Sequence, residues 1–586
     1  MLVYGDRWRA TTPPALLAEL ARRLAAAGTD LDRLTAALIL AGELAQGVAD
    51  AEAEALGVDA VADDLEAGSA ATLTLAIAVA ARLLAARGLP ARAGADVETA
   101  LARVRTLPLP PVIRCRTAEG FALYALYPET FAAVAVAAPW PEAPLVVGIR
   151  SIGTTLAAVV AAALGCPALT VRPVGHPLRR ELRLSAPLRA RLARHPGAFV
   201  VVDEGPGLSG SSFGSVGDAL AALGVPDDRI VFMPSHANCL GPRAAPAHRA
   251  RWERARRLPA LGDAEPGEVL GWFADLAGPG ARAEDLSGGG WRRDLPAALW
   301  PPAAPVGERL KIRIATPHGR LLARFAGLGD VGAAKLALAR RLHAAGFAPE
   351  PLALRRGFLL ERWVEGTPLP RASGPALLPH LARYLGFRAG ALPADGDGAE
   401  PAELRRMAVT NAAAIEAAIE GALAGAALAE RVEKRLAGFE RFVPVPVRID
   451  GRLHPWEWRR TARGAIVKTD ALDHAAAHDL VGCQDIAWDV AGAIVEFDLA
   501  PAAAETLRRA VAAVAGRAIP AEAVACHRLC YAAFQGGLWH MTGEAGPEGA
   551  PRTAAQVARY RAHLRRAVGL AAVPEPSAIP TASVAR

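Results

Sequence analysis

The stretch FVVVDEGPGLSGSSF, Phe199 to Phe213, combines the residue types that handle a phosphorylated sugar. Four apolar residues predict a buried strand that stops at two adjacent acids, Asp203 and Glu204. A loop of small residues follows, Gly205, Pro206, Gly207, Leu208, Ser209, Gly210, Ser211 and Ser212, and an apolar helical pattern begins at Phe213. Glycines let backbone N–H groups close on phosphate oxygens, a helix N-terminus adds partial positive charge, and serines add hydroxyl donors. The acids can accept hydrogen bonds from vicinal ribose hydroxyls. Open α/β sheets bind ligands at the carboxyl ends of their strands, although an ordinary strand–turn–helix junction has the same outline.

Such a site needs a frame, and the chain of 586 residues is long enough for three or four domains. Residues 1–105 read as an accessory helical region, with apolar residues three and four apart in LLAELARRLAAAG and LDRLTAALILAGELAQGVADAEAEALG. Glu43, Gln46 and Asp50 share one face there and are expected to be solvated. Between residues 106 and 275, strand-like runs alternate with helical ones: VIRCRTAEGFALYALYPETF as two short strands about Glu119-Gly120, then APLVV, ALTVRPVG, FVVVDE and RIVFMPS. That alternation predicts a doubly wound parallel sheet, so the fold class is multidomain α/β. Residues 276–304 are rich in Gly, Pro and Ala and are expected to be a linker. A further unit spans 305–573, and 574–586 is expected to be a disordered tail.

A net charge of +7 suits anionic ligands, but no dense basic run marks a nucleic-acid face. The six cysteines make no metal-type pair, and Cys526 and Cys530, flanking His527, are expected in a core. MLVYGDRWRA has no signal-peptide core, and the uncharged stretch Ser151 to Val171 is broken by Gly165 and Pro167, too short to span a bilayer. A cytoplasmic protein without a membrane partner is the expectation.

The stretch from Phe199 to Phe213 resembles the PRPP-binding motif of type I phosphoribosyltransferases, with a loop one residue longer than usual and Glu as the second acid. The resemblance extends over about 106–275, including GIRSIGTTLA (Gly148 to Ala157) and RPVGHPLRRELRLS (Arg172 to Ser185). It implies that Arg150, Ser151, Gly153, Thr154 and Thr155 hold pyrophosphate. Arg172, Arg179, Arg180 and Arg183 would belong to a flexible basic flap. Gly207 to Ser212, Leu208 included, would cradle the 5′-phosphate, while Asp203 and Glu204 orient the ribose and organise Mg²⁺. His236, Asn238 and Arg243 would face the acceptor, a small molecule the sequence does not name; a structured turn explains them equally well.

In the later unit, LLERWVEGTPL, DGRLHPWEWRRTARGAIVKTDALDH and DLVGCQDIAWDVAGA resemble the hinge, catalytic loop and metal-binding segment of aminoglycoside phosphotransferase-like kinases. Arg324 stands at the phosphate-binding lysine position. Glu457 and Asp470 or Asp473 match metal ligands, His454 the loop histidine, and Asp485 and Asp489 a structural acid. Arg452, however, stands where the family has its base, and a guanidinium takes no proton from a hydroxyl. A kinase with rearranged catalysis, a degenerate nucleotide-binding module and an unrelated α+β domain all fit. Three functions follow: a phosphoribosyltransferase with Mg²⁺, an ATP-dependent small-molecule phosphotransferase with a PRPP-sensing front, and a non-catalytic binding protein.

Overall fold

The computed structural model describes residues 1–3, 8–55, 63–92, 94, 96–207, 209–262, 264–305, 308–474, 479–545 and 550–571. The expected tail, 574–586, lies outside them.

Helices Pro13–Ala27, Leu31–Glu54, Ala67–Ala86 and Val97–Arg105 form an N-terminal layer. Three start on side-chain caps: Thr12, Asp30 and Asp96 accept from the backbone N–H groups of Ala15, Arg33 and Thr99. Leu34, Leu38, Ala41, Leu44 and Val48 recur at helical spacing and are buried together with Ala158, Val159 and Ala162 of helix Ile152–Leu164. By length and composition, Leu31–Glu54 and Ala67–Ala86 are apolar enough to cross a membrane, but most of the first and over half of the second are buried inside the protein.

The parallel sheet expected for the 106–275 stretch is present. Its order is Ala168–Val171, Leu145–Ile149, Phe199–Val202, Ile230–Met233, Arg256–Arg257, with every pairing parallel. Alternation explains why its central strand is apolar throughout. Val200 and Val202 face one core with Val146, while Phe199 and Val201 face another with Leu145 and Val147. The residues expected as two strands around Glu119-Gly120 behave differently. One strand forms, Ile113–Arg116, paired with Trp8–Thr11, and helices Glu119–Leu123 and Pro128–Ala137 follow. Phe121, Ala122 and Leu123 are buried consecutively, which a half-exposed strand would not permit.

The expected linker is instead built into a second sheet. Arg282–Asp285 is an edge strand of an antiparallel sheet ordered Arg282–Asp285, Lys311–Thr316, Gly319–Phe325, Phe358–Arg362, Pro351–Arg355. Its charged sequence, RAED, suits a strand paired on one side only. Ile312, Ile314, Leu321, Ala323, Phe325 and Phe358 of this sheet share one core with Phe121, Tyr127, Phe131 and Phe273. Helix Gly329–Ala344 crosses over, and long helices, among them Gly374–Ala391, Pro401–Glu420, Ala487–Glu496 and Ala521–Ala545, form a helical lobe. Cys526, His527 and Cys530 are buried in that lobe, where His527 Nδ1 lies 2.7 Å from the Ala523 carbonyl.

Candidate functional site

Asp203 and Glu204 follow the last residue of strand Phe199–Val202, at the carboxyl edge of the parallel sheet. Glu204 is held on several sides. Its Oε2 accepts from the Gly120 N–H at 3.0 Å, and its carbonyl accepts from the Ser235 N–H at 3.0 Å. A Cβ on Gly120 would sit 2.7 Å from Ile152 Cδ1 and 3.0 Å from that carboxylate, so a side chain there would have to push both away. Gly153 is just as constrained: a Cβ there would lie 2.5 Å from the Val202 carbonyl and 3.5 Å from Asp203 Oδ1. The Gly148 to Thr155 segment is thus seated directly against the acid pair.

Burial pushes the Asp203 carboxyl up to about 7, against the pull of Arg180, Arg172 and Arg116. Burial, with Glu119 and Asp203 as neighbouring charges, pushes Glu204 up to about 8. The edge thus sets two carboxyls with raised pKa values beside three arginines.

The following loop departs from the sequence expectation. Leu208 lies outside the described residues. Ser209 and Ser211 are buried, and both hydroxyls donate to the Pro177 carbonyl, at 3.2 and 2.6 Å. They clamp the basic flap and do not point at a ligand. The flap itself is a hairpin, Val174–His176 paired with Arg179–Glu181. Gly207 is exposed, Gly210 takes a left-handed φ of 58°, and helix Ser211–Ala222 begins there, with Ser212 in its first turn. The Ser211 N–H donates to Ser209 Oγ at 3.3 Å, which leaves the next N–H groups of that first turn as the phosphate donors the loop offers.

The pyrophosphate segment also differs. Thr154 is fully buried and Thr155 nearly so, so their hydroxyls are closed to a ligand. Arg150, 5% exposed, donates through Nε to Asp50 Oδ1 at 2.8 Å and through Nη2 to Asp63. Arg172 donates through Nε to the same Asp50 oxygen at 2.8 Å. Arg150 is therefore a buried ion-pair partner, while Ser151 is partly exposed and Arg179 and Arg180 sit on the hairpin. The face expected to be solvated is an interface. Gln46 Oε1 accepts from the Arg116 N–H at 3.0 Å, Asp50 binds the arginines, and Glu43 takes Arg9 at 2.6 Å. At the neighbouring strand end, His236 is partly buried and Asn238 and Arg243 are exposed.

A second constellation lies where the antiparallel sheet meets the helical lobe. Asp489, on helix Ala487–Glu496, accepts from the N–H groups of Asp450 and Gly451 at 2.7 and 2.9 Å, bracing the loop as expected. Asp485 accepts from the Ala487 N–H at 2.9 Å and takes Arg517 at 3.1 Å. Arg452 faces Asp479 at 3.5 Å, and His454 stacks on Trp456 at 4.4 Å with Nδ1 3.5 Å from Glu496. Glu457, Asp470 and His474 present ligand atoms within 4.8 Å of one another.

Cations of the chain already neutralise these acids. Lys468 Nζ lies 2.6 Å from Glu457 and 3.4 Å from Asp450. Arg324 lies 2.9 Å from Glu361, 3.3 Å from Asp470 and 3.7 Å from Asp473, and the buried Lys335 pairs with Asp473. Burial alone would lower His474, yet Asp470, Glu457 and Asp450 raise it to about 9. This donor set, already compensated by Lys468 and Arg324 and including an imidazole, does not fit a divalent ion such as Mg²⁺, which takes oxygen ligands in strict octahedral order.

No family model matches the chain, and no curated protein matches it. Solved structures resemble part of it. The choline kinase LicA from Streptococcus pneumoniae is 16% identical, covering 50% of this chain and 97% of its own, with a TM-score of 0.34. An ethanolamine kinase from Plasmodium vivax is 11% identical (51% and 88% covered, TM-score 0.36), and a putative aminoglycoside phosphotransferase from Ralstonia eutropha is 12% identical (51% and 98%, 0.35). At such identities and scores, both sites are read from their own residues.

Of the residues singled out in the sequence, the fold brings Asp203, Glu204, Gly153, Arg180 and the start of helix Ser211–Ala222 to one edge. It gathers Arg324, Glu457 and Asp470 at the other site. Asp50, Asp63, Gly120, Lys335, Glu361, Lys468 and His474 were missed. Asp50 left a trace, with Glu43 and Gln46, as one polar face of its helix, but that face was expected to be solvated.

Proposed function

We propose that the carboxyl edge of the parallel sheet binds 5-phosphoribosyl pyrophosphate and transfers its phosphoribosyl group to a small-molecule acceptor. What carries this reading is the acid pair Asp203–Glu204, seated between the Gly148 to Thr155 segment and a helix N-terminus and flanked by Arg116, Arg172 and Arg180. Ionised, Asp203 and Glu204 accept from the ribose 2- and 3-hydroxyls. Backbone N–H groups of the first turn of helix Ser211–Ala222 hold the 5-phosphate, and Arg179 and Arg180 face pyrophosphate. A lone pair of the acceptor forms the new bond to the anomeric carbon as the bond to pyrophosphate oxygen breaks, and pyrophosphate leaves with that electron pair. The arginines stabilise its charge, and the partly buried acids offset the positive charge developing on the ribose. The carboxylate oxygens of Asp203 and Glu204 suit a Mg²⁺ ion brought in by pyrophosphate, which would neutralise leaving-group charge.

Calorimetry with PRPP·Mg²⁺ tests the reading. Wild type binds, and Asp203→Asn weakens binding about 10- to 100-fold, the worth of hydrogen bonds to a charged acceptor. Absence of heat at millimolar PRPP, or unaltered affinity in the variant, sinks it. Pyrophosphate release with a panel of acceptors separates a transferase from a binding protein.

A second reading, an ATP-dependent small-molecule phosphotransferase, is favoured by the gathering of Glu457, Asp470 and His474 beside a loop braced by Asp489. Arg452 in the base position and the compensated acids oppose it. Millimolar ATP·Mg²⁺ is therefore expected to leave the melting temperature unchanged, whereas a ligand at 100 times its Kd would add about 2.7 kcal/mol. A clear rise together with ATP-dependent phosphorylation of a small alcohol would establish the second reading.

A further inference from the structure

The N-terminal region inserts two carboxylates among the backbone segments that frame the pyrophosphate end of the site. Asp50 lies near the end of helix Leu31–Glu54, and Asp63 lies beyond it; both are buried or nearly so. Asp63 ties together three pieces of chain. Its carboxylate takes Arg150 and also the backbone N–H of Arg172 at 2.7 Å, where the basic hairpin begins. Its own N–H donates to the Arg183 carbonyl at 2.9 Å, and its carbonyl accepts from the Ser185 N–H at 3.0 Å, where the hairpin ends. Asp50 joins the Arg150 and Arg172 side chains, and Arg172 Nη1 donates to the Arg150 carbonyl at 3.2 Å. The helix is seated hard against the same segment: a Cβ on Gly42 would fall 1.9 Å from Thr155 Oγ1.

From these contacts we infer that Asp50 and Asp63 are positioning residues. They fix both feet of the Arg172–Ser185 hairpin against the Gly148 to Thr155 segment, and so set where Arg179 and Arg180 stand over pyrophosphate. The inference rests on the PRPP reading for its ligand, though not for the anchoring itself. Arg150 and Arg172 act as pillars, their charge spent on the two acids. Arg179 and Arg180, which form no close ion pair among the described residues although Asp203 attracts Arg180, supply the ligand's cations. A buried ion pair that loses one partner leaves the other uncompensated, so the hairpin feet should loosen when either acid is neutralised.

The test uses the full chain and three probes: PRPP·Mg²⁺, pyrophosphate·Mg²⁺ and ribose 5-phosphate. Asp50→Asn should weaken the first two by about tenfold or more, equal to 1.4 kcal/mol, and leave ribose 5-phosphate within about twofold. In the ligand-free protein, amide exchange across Val174–Glu181 should accelerate in the same variant. Unchanged pyrophosphate affinity, unchanged exchange, or equal loss of ribose 5-phosphate in a folded variant overturns the inference. If Asp50→Asn does not fold, Arg172→Gln keeps Asp50 paired with Arg150 and frees one foot; wild-type exchange in that variant is then the overturning result. Should wild type bind none of the probes, the PRPP reading falls, and the exchange measurement still decides whether the acids anchor the hairpin.

Discussion

Replacing Asp203 by Asn and Glu204 by Gln together will raise the stability of the protein at pH 9. Both carboxyls are raised in the fold, Asp203 to about 7 and Glu204 to about 8, chiefly by burial. A carboxyl whose folded pKa exceeds its unfolded value favours the fold fully below about pH 4 and loses that contribution as pH climbs through about 7 to 8. Wild type therefore carries two reluctant anions at pH 9. One pKa unit corresponds to about 1.4 kcal/mol, and partial exposure of both groups reduces the sum to about 2–4 kcal/mol for the pair. Melting curves of wild type and double variant should nearly coincide at pH 4 and separate by about 2–3 °C at pH 9, if the 586 residues unfold as one unit. Coincidence at pH 9 would mean that Arg116, Arg172 and Arg180 already compensate the acids. On the proposed PRPP reading, the same ionisation should strengthen PRPP binding between pH 6 and 9 in wild type.

Glu496→Ala is expected to cost about 3–5 kcal/mol, the penalty for leaving buried partners of an ion pair uncompensated. Glu496 is fully buried. It accepts from the Tyr560 hydroxyl at 2.6 Å and the Tyr531 hydroxyl at 3.1 Å, and it faces Arg559, Arg371 and His454, each at 3.5 Å. Burial opposes its charge, yet His454, Arg559 and Arg371 hold its carboxyl far below the usual range. A depressed carboxyl stabilises above its unfolded pKa and loses that contribution as pH falls, so wild type should weaken in acid below about pH 4. Glu496→Gln retains shape, loses charge and should flatten that acid limb. Urea unfolding monitored by tryptophan fluorescence would read both effects, and an unmoved midpoint in Glu496→Ala would refute the assignment.

The sequence was readable where a short run of residues carries its own reason. Phe199–Val202 and Ile230–Met233 are apolar on both faces because a parallel sheet buries both, and the acids after the first run could be placed at its end without coordinates. Arg324 was legible from its match to the kinase family's lysine position, whereas nothing in the sequence singled out Lys335 on its helix. Its partner, Asp473, lies more than a hundred residues away. The same distance hides the Asp50–Arg150 pair: no local spacing reveals that an acid on an early helix will meet an arginine at a strand end. Ser209 and Ser211 misled for a different reason. Their type suits phosphate, but the Pro177 carbonyl takes both hydroxyls, and only the folded hairpin brings it there. Arg282–Asp285 escaped notice because a charged edge strand lacks the apolar alternation that marks a central one.

The apolar layer between the two sheets bears on how the chain can be divided. Phe121, Tyr127, Phe131 and Phe273 on one side meet Ile312, Phe325 and Phe358 on the other, and Arg356 crosses to Glu129. A fragment ending at residue 275 would present its aromatic side chains bare to water, and the remainder would do the same with its sheet. Expressed separately, each half should therefore be prone to aggregate through the face that the other half covers.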